Sequence, residues 1–226
     1  MRKTLLAAAI VTIGLVSAQE TRFGVKGGYS MSMLNTKYEV ADVEINSKAK
    51  HTFYVAGLAE HKFNDQFAVQ AELGYSQLGG KYNSSEMDIN NETITMSNKI
   101  TLGTVYVPLM AKYYFTEFMN VHLGANLQYV VSAKSKVGEN LGDDSLGLGD
   151  WVEDMVGEER DIKKYVKPFS VSPFVGVEYN LENGIFFDAR YYLGVMNIAD
   201  KTEVTGIKSM KNSFFQVGMG FKFGGN

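Results

Sequence analysis

The sequence predicts an all-β fold: an eight-stranded antiparallel up-and-down transmembrane β-barrel of the outer-membrane type. Three observations predict it. Eight segments alternate apolar and polar residues with period 2, seven of them over about 10 to 13 residues and the fourth over 16, longer than the ~5–6 of strands in globular proteins. The connections between them alternate long and short, as the loops and turns of outer-membrane barrels do. The segments are apolar on one face and carry charges in mid-strand on the other, which suits lipid outside and a polar lumen inside.

The first segment, 22–33, sets Phe23, Val25, Tyr29, Met31 and Met33 against Arg22, Lys26, Ser30 and Ser32. A polar stretch, 35–50, leads to the second, 52–63, where Phe53, Val55, Ala59 and Phe63 oppose Glu60 and Lys62. Asn64, Asp65 and Gln66 form a short turn, since Asn and Asp side chains bond their own backbone. The third segment, 67–78, alternates Val69, Ala71, Leu73 and Tyr75 with Gln70, Glu72, Gly74 and Ser76. A long polar connection, 79–99, precedes the fourth, 100–115, in which Lys112 opposes Val105, Val107, Leu109, Ala111, Tyr113 and Phe115. Pro108 lies inside that segment and cannot donate to a ladder, so a bulge or a lost bond is expected there.

After a short turn, 116–120, the fifth segment, 121–133, sets Leu123, Ala125, Leu127, Tyr129 and Val131 against His122, Asn126, Gln128 and Ser132. The longest connection is 134–167. The sixth and seventh segments, 169–181 and 185–197, form a hairpin about Glu182, Asn183 and Gly184, where Asn and Gly tolerate the positive φ of tight turns. Glu178, Asp188, Arg190 and Gly194 lie on its polar side. A polar connection, 199–212, leads to the eighth, 214–223, with Phe215, Val217, Met219, Phe221 and Phe223 opposite Gln216 and Lys222.

Residues 1–18 read as a signal peptide: Arg2 and Lys3, an apolar run over 5–16, and the small-residue site Val16-Ser17-Ala18. The barrel domain is then 19–226. No later stretch approaches the ~18 consecutive apolar residues of a transmembrane helix. The chain has no Cys, and a closed barrel holds itself by backbone pairing rather than by disulfides. Without Arg2 and Lys3, 20 basic residues face 25 acidic ones. That balance excludes a nucleic-acid partner, which requires a basic footprint.

An eight-stranded barrel is only wide enough for side chains to fill, so charges inside it must pair. The expected lumenal network has Glu72, Lys112, Glu178 and Arg190 near its centre, with Lys26, Asp188 and Lys222, and with Glu60, Arg22 and Lys62 of the same parity. Its expected role is structural, and a narrow path for ions or small solutes is the alternative. No catalytic residue, cofactor or metal is expected. His51, His61 and His122 are scattered, and there is no Cys and no Gly-x-Ser-x-Gly elbow. The connection 134–167 is rich in Asp and Glu, but their spacing does not match a Ca²⁺ loop. Trp151 stands in its middle as a candidate contact for other envelope proteins, and 152–165 read as a short helix over the barrel mouth.

Four stretches resemble one family. They are Gln70-Ala71-Glu72-Leu73-Gly74-Tyr75-Ser76, the run from Val107-Pro108-Leu109 to Tyr114-Phe115, Asp161-Ile162-Lys163-Lys164-Tyr165, and the run from Asp188-Ala189-Arg190 to Asn197-Ile198. They are similar to the outer-membrane β-barrel domain of Bacteroidetes, often labelled "porin family" and related to PorT-like proteins. The resemblance covers 22–223. It implies export, folding by the barrel-insertion machinery, and residence among the lipids of a Gram-negative outer membrane. It also allows a place as a subunit of a secretion or surface-assembly complex. A wide pore is not implied, since that needs 16 or more strands.

Overall fold

The structure, a computed structural model, describes residues 21–39, 44–89, 92–140, 159–200 and 206–224. Eight long strands form the wall: β1 (Thr21–Tyr38), β3 (Lys50–Lys62), β4 (Phe67–Ile89), β5 (Glu92–Tyr114), β6 (Met119–Asn140), β8 (Phe169–Asn180), β9 (Ile185–Tyr192) and β10 (Ile207–Phe223). Two short strands, β2 (Glu44–Asn46) and β7 (Glu159–Asp161), add to β1 and β6. Every neighbour in the order β1-β3-β4-β5-β6-β8-β9-β10 is antiparallel, and β10 pairs back onto β1 from Phe23↔Phe223 to Tyr38↔Ile207. The sheet is therefore closed, with no free edge in the wall.

Three short turns gather at one end, called here the turn end. Asn64 closes the first, its Oδ1 accepting from the backbone N–H of Gln66 and Phe67. Thr116 Oγ1 accepts from Met119 N–H in the second. In the third, Gly184 takes φ 88°, and a Cβ there would lie 2.7 Å from Lys222 O, so the position needs glycine. The long connections leave from the opposite, loop end.

The faces follow the period-2 pattern. Phe53 is 78% exposed on the outside, while Arg190 is 1% exposed on the inside. Aromatic rings mark two levels of the outer face, Phe67 against Tyr113 near the turn end and Tyr29 against Phe53 toward the loop end. Such aromatic levels mark the two interfaces of a barrel in lipid.

Several elements depart from expectation. Residues 79–99 are not a loop: β4 and β5 run on as a hairpin, paired as far as Ile89↔Glu92. Residues 79–99 are mostly polar, so the apolar alternation that marks a strand in lipid is absent from the sequence there while the backbone pairing continues. Gly79 begins this extension at φ 128°, where a Cβ would meet Ile100 O at 2.1 Å. The helix expected over 152–165 is replaced, in its described part, by β7 and a single 3-10 turn at Lys163–Tyr165. The seventh segment stops at Tyr192 rather than 197, because the chain then turns over the barrel mouth. At Pro108 the bond is lost without a bulge. The β4–β5 ladder is interrupted between Ala71↔Leu109 and Gly74↔Tyr106 at unchanged register, and the β5–β6 bulge lies instead at Gly103/Thr104.

Candidate functional site in the lumen

Each inward charge is set by strand parity, and the closed sheet brings charges distant in sequence together. The part of the network nearer the turn end centres on Lys112 of β5. Its Nζ donates to Glu60 Oε2 at 2.6 Å, to Gln70 Oε1 at 2.7 Å and to both Glu178 oxygens at 2.8 Å. Lys222 of β10 repeats the pattern, donating to Glu60 at 2.8 Å, Glu178 at 2.6 Å and Asn180 at 3.0 Å. Tyr114 OH and Asn120 Nδ2 complete the shell on Glu60 and Glu178.

A second cluster centres on Arg190 of β9. Its Nε donates to Asp188 Oδ2 at 2.8 Å and its Nη2 to Glu72 Oε1 at 2.7 Å. Lys26 of β1 spans the same two carboxylates, 3.0 Å from Asp188 and 3.1 Å from Glu72. Gln70 joins the clusters, since its Oε1 accepts from Lys112 and its Nε2 donates to Glu72 at 2.5 Å. His122 lies between the clusters, with Nδ1 3.2 Å from Asn120 Oδ1 and Nε2 3.6 Å from Asp188 Oδ2, beyond hydrogen-bond reach.

Four carboxylates (Glu60, Glu72, Glu178, Asp188) thus meet four cations (Lys26, Lys112, Arg190, Lys222), all buried. Balanced charge and dense bonding are what make such a group tolerable away from water. The residues expected at the centre divide: Glu72 pairs with Arg190 and Lys112 with Glu178, in separate clusters. Arg22 and Lys62 stand half-buried at the turn end, Lys62 over the Tyr114 ring at 4.2 Å. There they line an open recess of about 480 Å³ that reaches Lys222. The neutral members Gln70, Asn120 and Tyr114 were not anticipated as ligands of the charges, although Gln70 lies at the expected inward parity.

Toward the loop end an apolar cluster fills much of the lumen, among buried Ser32, Thr36, Lys50, Gln128 and Asn212. Leu34, Leu78, Leu102, Val130 and Ala133 line the wall, and Val166, Ile198 and Ala199 enter from the two connections that flank β8 and β9. Those connections are bound to each other and to the wall. Val166 bridges Ala199, Asp200 N–H donates to Tyr165 O, Lys167 N–H to Ile198 O, and Ile162 N–H to Ala133 O. Tyr192 stacks on Phe214 at 4.2 Å and meets Phe174 at 4.8 Å below this lid. Phe174, Tyr192 and Phe214 occupy positions of the polar parity, so they face inward and fill space rather than meeting lipid.

Among the described residues, no group of three or more His, Asp or Glu is placed to hold a metal. Trp151 and the acids over 141–158 lie outside the described residues.

The chain matches, over residues 17–200, the family described as outer membrane protein beta-barrel domain, and it belongs to that family. It is an outer-membrane β-barrel protein. Among solved structures it is similar to Ail, the attachment invasion locus protein of Yersinia pestis, determined in complex with the heparin analogue sucrose octasulfate. Identity is 15% over 90% of this chain and 99% of that one, with a TM-score of 0.47. It is also similar to Neisserial surface protein A, with 13% identity, 89% and 97% coverage and a TM-score of 0.46. OprG from Pseudomonas aeruginosa gives 11% identity, 92% and 98% coverage and a TM-score of 0.40. No curated protein matches the chain.

Proposed function

We propose that this is a non-conducting, non-enzymatic barrel that serves as a rigid platform in the outer membrane, with its long connections facing outward to meet other envelope proteins or external partners. The observation that carries the reading is the double closure of the lumen. A charge-balanced network fills the half near the turn end, and an apolar lid that includes Val166, Ile198 and Ala199 covers the other. An ion would have to break several charge-assisted bonds and then pass a tightly filled layer whose cluster is apolar, and both steps are costly. Residues 1–18 act in this reading as the export signal, and the orientation follows from insertion with short turns toward the periplasm.

Purified protein in planar bilayers should show no stable single-channel steps. Reproducible ohmic steps from the wild type would overturn the closed-lumen reading in favour of a narrow channel.

A further inference from the structure

Four lysines stand directly opposite one another across the loop end of the wall. Lys48 bridges Lys81, Lys81 of β4 is the register partner of Lys99 of β5, and Lys99 is the partner of Lys136 of β6. All four are exposed. Lys99 shares the outward parity of Val105 and Leu109, and its partners Lys81 and Lys136 stand on the same face; in β6 the bulge switches that parity so that Lys136 joins them. With strands ~4.8 Å apart, the row spans about 15 Å of the barrel circumference.

Like charges opposed on one sheet face are destabilising. Other lysines of this rim are relieved: Lys37 pairs with Glu44 at 2.8 Å and Lys134 with Glu159 at 2.7 Å. No described carboxylate makes an ion pair with any of the four; Glu159 of β7 is the register partner of Lys136, but its carboxylate is held by Lys134 at 2.7 Å.

The height of the row is also defined. Lys81 and Lys99 lie 14 residues beyond the turn-end aromatic pair Phe67 and Tyr113. At ~3.3 Å per residue and a tilt of ~40°, that is about 35 Å along the membrane normal, some 10 Å past an apolar band of ~25 Å. This is the level of lipid headgroups, and basic residues at that level attract anionic lipid.

We propose that the Lys48–Lys81–Lys99–Lys136 row is a binding site for the phosphate groups of phosphorylated glycolipid in the outer leaflet. A phosphate set between neighbouring ammonium groups removes the repulsion that the sheet otherwise keeps. The inference rests on the loop end facing outward, but not on the closed lumen.

The test uses the full barrel in detergent and a fluorescent bis-phosphorylated lipid A as probe. Wild type should bind it, while the dephosphorylated lipid A should compete poorly. Combining Lys81→Gln, Lys99→Gln and Lys136→Gln should weaken binding by about tenfold or more. A control of equal charge, combining Lys37→Gln, Lys163→Gln and Lys208→Gln, should bind as wild type does. All variants are first checked for the folded form on unheated gels, so a loss of binding is not a loss of fold. Equal binding by the row variant, or equal competition by dephosphorylated lipid, would overturn the site. Displacement by inorganic phosphate at matched phosphorus concentration would overturn the assignment to lipid. Labelling of the loop end on intact cells reports separately on orientation.

Discussion

Arg190 donates to Asp188 and, across the lumen, to Glu72, and Lys26 on β1 spans the same two carboxylates. Removing one member leaves the others buried and unbalanced, which is the costly way to break a buried ion pair. Glu72→Ala strands Arg190 Nη2 and relieves Lys26 of one partner. It should cost roughly 3–5 kcal/mol, read as an earlier loss of the folded gel band on stepwise heating. Wild-type heat resistance in that variant would mean that water already reaches the pair. Period-2 parity made the inward charges legible, but not their partners. Arg190 and Glu72 are 118 residues apart, and only the closure of the sheet brings them together.

At the scale of elements, the strands were legible where apolar and polar residues alternate and illegible where the run is mostly polar. β4 and β5 show this within single strands, patterned from Phe67 to Leu78 and unpatterned, yet paired, beyond Gly79. The outer edge of β6 carries β7, pinned by Lys134 and Glu159. The hydrogen bond from Lys134 holds the Glu159 carboxyl below the usual carboxylate range. Because the folded value lies below the unfolded one, the contribution of this bond is present above the ordinary range and is lost as pH falls through the lowered value. As pH falls through the lowered value, below about pH 4, the protection of the backbone amides of 159–161, corrected for the intrinsic exchange rate at each pH, should drop in the wild type to the level of Glu159→Gln, and the variant should lack this acid-dependent step. A step of equal size in the variant would assign it to another group. The lid is the other element the sequence hid. Ile198 and Val166 sit in polar connections, so no periodicity marks them, yet both are buried. Ile198→Ala should cost about 2–5 kcal/mol of local lid stability, visible as faster proteolysis within 159–168 while the barrel band on unheated gels persists. Unchanged cleavage would mean that the lid is held by its backbone bonds alone.

The whole molecule is a closed cylinder whose backbone pairs all the way round, so it should resist detergent until heated. Unboiled and boiled samples should migrate differently on a gel, and identical migration would argue against closure. In the proposed reading, platform and lysine row belong together: a barrel with a filled lumen that meets other molecules at its rim. The sequence by itself determined the barrel class, the strand number, which residues face lipid and which face the lumen, because a two-residue period and a lipid solvent leave few alternatives. Only the tertiary structure decided which charge meets which, where the lid lies, and that four lysines from separate segments share one row. Those are matters of register and closure, and register is written across strands rather than along any one of them.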